Sequence, residues 1–210
     1  MARIFSKDDE IEERLKPFGV NRSELVSVVR HVVGARADTT AYDPLAAKGL
    51  LAYIYGTRSL RQIFGQKGWL IDRLENIEAT RHPDLALKIV YQNVDLAASI
   101  LHSPKAVSGK GSGADRIVDS AQGQLVLDLE PGKLTSVREI NSGIWFFCVS
   151  VRGDDVRAEL SLPSAISDSN FGEFLERIFI VREGEWSTLR VAREPGPRPA
   201  EIEPVVMRKK

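Results

Sequence analysis

Cysteine is almost missing from this chain: Cys148 is the single thiol in 210 residues. One thiol cannot close an intramolecular disulfide, so the disulfide-framework class is excluded. Phe147 and Val149 flank it, which marks a buried structural thiol rather than a nucleophile. Histidine is nearly as scarce. His31, His82 and His102 are scattered and no Cys or His pair has zinc spacing, so neither a metal nor a cofactor is expected. An excess of one charge is lacking too: 29 basic and 29 acidic side chains leave a formal charge of zero. A sequence-independent nucleic-acid coat carries a positive excess, so only a local basic patch remains open. No apolar run approaches the roughly 20 residues that span a bilayer. The stretch Ser6-Lys7-Asp8-Asp9-Glu10 has no signal-peptide core. The expectation is a cytoplasmic protein without a membrane partner.

Catalytic signatures are also missing. There is no Gly-x-Ser-x-Gly elbow. Gly111 stands after Lys110 where a P-loop needs Ser or Thr. Glu159 is followed by Leu160 and Ser161, not by the lysine of a restriction-type nuclease core. Trp145-Phe146-Phe147 imitates the aromatics of an RNA-recognition strand but lacks the surrounding Gly and Lys. Whether the chain is an enzyme stays open.

What is present is an ordinary globular composition, 43% apolar and 28% charged. Ile11 and Leu15 suggest a short helix ended by Pro17 and Gly19. Asn21 and Glu24 form a capping-box variant, and Leu25, Val28, Val29 and Val32 follow as an i, i+3, i+4, i+7 stripe. A helix is expected over 22–33, stopped by Gly34. Asp43-Pro44 predicts the start of a second helix running to Gly56, and Thr57 recaps a third that ends at Gly65.

Beyond Trp69 the pattern turns to strands. Ile77 to Arg81 and Leu85 to Val94 read as a hairpin. A loop over 95–111 follows, then a short helix over 114–121 and a strand over 124–129. Gly143 to Val151 and Val156 to Leu162 make a second hairpin, with a type II′ turn at Gly153-Asp154. That turn sets Val149 opposite Ala158 and Phe147 opposite Leu160, one wholly apolar face. The other face, with Cys148 opposite Glu159 and Ser150 opposite Arg157, is mixed and expected to be at most partly covered. Asp168 or Ser169 caps an expected helix bearing Phe171, Phe174, Leu175 and Ile178, and a last hairpin runs from Ile178 through Gly184 to Val191.

The order implies an α+β fold: an N-terminal helical segment packed with a mostly antiparallel sheet built from hairpins and two short helices. A charged lead-in covers 1–19. A single α+β domain covers 20–194, helical over 20–74 and sheet-rich over 75–194. An extended Pro-rich tail covers 195–210.

Two places gather cations. The loop 102–116 carries Lys105, Lys110 and Arg116 with Gly111, Ser112 and Gly113 before the expected helix. Glycines let backbone N–H groups approach an anion, and a helix start adds free donors. Against this stands a plain solvent loop. Arg58 and Arg61 lie one turn apart on a helix, in a stretch from Lys48 to Arg73 with five cations and one anion, Asp72. That face meets phosphates or only water. Asp95 and His102 are an acid–base pair in reach of the same loop, or simply turn residues. The functional expectation is a binding protein for a phosphate-bearing ligand, nucleotide, nucleic acid or other anion, through 102–116 with Arg58 and Arg61. A protein-interaction or assembly component and a hydrolase without a recognisable motif are the alternatives.

Overall fold

The structure is a computed structural model, and it describes residues 2–74, 77–107, 143–167 and 170–190. The chain opens with β1 (Arg3–Phe5), α1 (Asp8–Leu15) and a 3-10 turn at Lys16–Phe18. Pro17 sits inside that turn and Gly19 leaves it at φ 69°, the punctuation expected of the pair. Then come α2 (Arg22–Ala37) and α3 (Ala47–Gly65). The strands β2 (Leu70–Leu74), β3 (Ile77–Arg81), β4 (Leu87–Asn93), β5 (Gly143–Arg152) and β6 (Asp155–Pro163) follow. The small pair β7 (Ile166–Ser167) and β8 (Asn170–Phe171), β9 (Phe174–Val181) and α4 (Trp186–Leu189) complete it.

Among the described residues seven strands form one sheet in the order β1-β9-β6-β5-β4-β3-β2. It is mostly antiparallel, with two parallel pairs, β1 on β9 and β4 on β5. The α+β expectation holds at that level; the parallel pairs are additions to a sheet read as hairpins.

The local signals that hold are short-range. At the start of α2 the Asn21 side chain accepts the Glu24 N–H at 2.9 Å, and the Glu24 carboxylate accepts the Asn21 N–H at 2.9 Å. Leu25, Val28, Val29 and Val32 are fully buried against the sheet. The β5–β6 register is the expected one, Phe147 opposite Leu160 and Cys148 opposite Glu159. Gly153 has φ 59° while Asp154 is not among the positive-φ residues, which suits type II′ and excludes I′.

Several expectations are corrected. α2 runs through Gly34 to Ala37, because an isolated glycine lowers helix propensity without ending a packed helix. Asp43 does not open α3. Its carboxylate accepts the Thr40 N–H at 2.7 Å, closing a turn that points backwards, and the helix begins at Ala47. Nor does Gly56 break α3. A Cβ there would lie 2.3 Å from Cε2 of Tyr91, so the glycine is a packing contact between helix and sheet. Leu70–Leu74 forms an edge strand not expected from its sequence. The Phe174–Ile178 stripe is strand β9, not helix, and α4 replaces the return strand of the last hairpin. β9 hides its alternation because both faces are buried, Glu176 pairing with Arg14 at 2.8 Å and Arg177 with Glu159 at 2.6 Å. The residues 114–121, 124–129, Asp168, Ser169 and the tail lie outside the described residues.

The helices cover one sheet face, where Trp145, Phe147, Val149 and Leu160 meet Phe18, Leu25 and Phe64. The mixed face is fully covered, against expectation: Phe146, Cys148, Ser150 and Glu159 are all buried. The segment after β4 lies over it. Ala97 N–H donates to Ser150 Oγ at 3.0 Å, Ala98 N–H to Glu159 Oε2 at 2.5 Å, and Ser99 O accepts from Arg177 at 2.9 Å.

Candidate functional site

Among the described residues, an open cleft of about 580 Å³ lies where α3 crosses the β2 edge. Helical spacing builds one wall: Tyr53, Ile54, Thr57, Arg58, Arg61 and Gln62 recur at i, i+3, i+4 and i+7. The sheet builds the other. Ile71 and Arg73, two apart on β2, share a face, and Glu78 stands directly opposite Arg73 on β3. The volume lies in the range of small-ligand sites.

Three arginines and one carboxylate thus line the cleft. Glu78 Oε2 accepts from Arg61 Nη2 in a short contact and from Arg73 Nε at 3.1 Å. The Arg61 bond, with a further contribution from Arg73, holds the Glu78 carboxyl below the usual range against the effect of burial. Both positive charges are therefore balanced in part by one negative charge, and Arg58 is extra. Its guanidinium lies over the Tyr55 ring, 4.8 Å from the centroid. Arg61 Nε is buried without a hydrogen-bond partner, which costs free energy until an acceptor reaches it. Burial, then the Glu78 charge, raises the Tyr53 phenol above its ordinary value, so it stays a hydrogen-bond donor at neutral pH. Chemically the cleft offers fixed cations and a phenol donor beside the apolar flanks of Ile54 and Ile71.

Of the residues singled out from sequence, the structure brings Arg58 and Arg61 together here. Lys105 does not line the cleft. It is exposed on the segment after β4, where its N–H donates to Asp95 Oδ1 at 2.7 Å. Lys110, Gly111, Ser112, Gly113 and Arg116 lie outside the described residues. Asp95 and His102 do meet, Oδ2 to Nε2 at 2.9 Å. Burial alone would raise the Asp95 carboxyl. The N–H groups of Lys105 and Leu96, with His102, outweigh it and lower the pKa. With three partners already engaged, Asp95 ties the segment down as a turn residue does. Among the described residues no three His, Cys, Asp or Glu side chains converge as a metal site would require, and no helix is long and apolar enough to cross a membrane.

Sequence reasoning missed Tyr53, Arg73 and Glu78 as members of one site. Arg73 belonged to the cationic stretch from Lys48, but Glu78 joins only through the β2–β3 register. No family model matches the chain, and neither a curated protein nor a solved structure matches it.

Proposed function

We propose that this chain is a binding protein for a phosphate-bearing ligand, held in the cleft between α3 and the β2–β3 edge. One observation carries the reading: Arg58, Arg61 and Arg73 line one open cleft whose carboxylate, Glu78, engages Arg61 and Arg73, so the Arg58 charge is in surplus. A planar guanidinium offers five N–H donors in a fork that matches phosphate oxygens. Arg61 spends one on Glu78 and keeps a buried Nε unused. Phosphate arriving between Arg58 and Arg61 gains charge-assisted hydrogen bonds without displacing Glu78 from Arg73. The apolar flank of Ile54 and Ile71 suits a ligand with a non-polar portion beside its phosphate. The loop 102–116 enters this reading only as a second cationic region.

Calorimetric titration with inorganic phosphate, adenosine monophosphate and a short oligonucleotide tests it. Binding is expected for at least one, weakening as salt rises because exposed charges are screened. Arg58→Ala is expected to weaken binding about tenfold or more, the loss of one charge-assisted contact. No binding by any of the three at low salt would overturn the reading.

A further inference from the structure

The cleft is bounded on one side by a feature that no free phosphate or nucleotide uses. β2 is the last strand of the seven-stranded sheet, so among the described residues one side of its backbone has no strand partner. From the Leu74–Ile77 pair, whose members are separated by only two residues and so bond each other, the antiparallel ladder alternates. Ile71 and Arg73 therefore direct their N–H and C=O groups to the open side. Those two residues also line the cleft. An unpaired edge is a template for a further strand. It contains no proline, and Leu70 and Ile71 are exposed beside the charged Asp72 and Arg73.

We infer that the phosphate-bearing ligand is a phosphorylated, extended peptide segment of a partner protein, which adds to β2 as an eighth strand and seats its phosphorylated side chain among Arg58, Arg61 and Arg73. This rests on the phosphate reading above. Backbone pairing supplies sequence-tolerant affinity, and alternate side chains of an added strand point to one face, the face that holds the cleft. Charge complementarity selects the occupant, because three cations meet one anion on that face. A neutral peptide leaves the Arg58 charge and the buried Arg61 Nε as they are in the free protein; a phosphorylated side chain answers both. An oligonucleotide answers the cations but has no N–H and C=O ladder to offer the edge.

The test is amide hydrogen exchange and two-dimensional NMR on the full chain. The probes are a degenerate nine-residue peptide library with a central phosphoserine, the same library with serine, inorganic phosphate and a short oligonucleotide. The expected result is protection of the Ile71 and Arg73 amides by the peptides and not by inorganic phosphate or the oligonucleotide, with the phosphoserine library binding about tenfold or more tighter than the serine library. Arg58→Ala is expected to erase that preference while the folded spectrum persists. If inorganic phosphate or the oligonucleotide shifts the α3 amides and the phosphopeptides protect nothing on β2, the peptide inference is overturned and the phosphate reading stands. Equal binding of the two libraries overturns the inference as well. No shift at α3 with any probe removes both.

Discussion

Two arginine–glutamate clusters in this molecule use the same chemistry to different ends. At the sheet centre, Glu159 and Arg177 are sealed from solvent and every oxygen of the carboxylate is engaged: Arg177 takes both, Ser161 Oγ donates to Oε1 at 2.6 Å and Ala98 N–H to Oε2. At the sheet edge, Glu78 meets Arg61 and Arg73 in an open cleft, with Arg58 in surplus and Arg61 Nε unpaired. A closed, satisfied cluster holds architecture together. An open cluster with donors left over is suited to a ligand. Burial and hydrogen-bond accounting, not residue type, separate the two roles.

The largest expected effect comes from breaking the closed cluster. Arg177→Met leaves the Glu159 charge buried and unpaired, and is expected to cost about 3–5 kcal/mol in urea unfolding. Replacing both partners, Glu159→Leu with Arg177→Met, is expected to recover part of that. The matching change at the edge, Arg73→Ala, removes a mostly exposed side chain and is expected to stay within about 0.5 kcal/mol. Equal losses at the two sites would erase the distinction.

Glycine sharpens the contrast between packing and propensity. Gly56→Ala drives a methyl group into the Tyr91 ring and is expected to destabilise by about 1–3 kcal/mol. Gly34→Ala, inside α2 with nothing within 4 Å of a new Cβ, is expected to stabilise by about 0.5–1 kcal/mol. Thermal unfolding of both variants reads the two signs, and like signs would contradict the account of α3. Asn21→Ala removes the α2 cap and is expected to cost about 1 kcal/mol.

The smallest effect is on the acid side. Glu78 and Asp95 have depressed pKa values in the folded protein. The stability they contribute is complete above their ordinary carboxylate range and is lost as pH falls through the depressed values. Glu78→Gln is expected to flatten the fall in stability with acid slightly, with no change in pH dependence above neutrality. A change confined to the alkaline side would contradict the sign.

What was legible in the sequence was local. The Asn21–Glu24 box and the Gly153 turn are decided within a few residues, and both appear as read. Gly56 misled because its reason, Tyr91, is distant in sequence and reaches the helix only through the fold. β9 misled because Glu176 and Arg177 are buried by partners on α1 and β6, which removes the polar alternation that marks a half-exposed strand. The mixed face of β5–β6 looked uncovered because Ser150 and Glu159 are polar; they are polar in order to receive the N–H groups of Ala97 and Ala98. For the site, the spacing of Arg58 and Arg61 was visible on one helix. Glu78 and Arg73 were not, since their place depends on strand pairing.

The most direct test is a backbone amide shift map on adding inorganic phosphate at low ionic strength. The account predicts shifts gathered on Tyr53–Gln62 and Ile71–Arg73, while Ala97–Ser99, held by Ser150 and the closed Glu159–Arg177 cluster, stay in place. Shifts at Ala97–Ser99 as large as those on α3, or none on α3 at all, would contradict it.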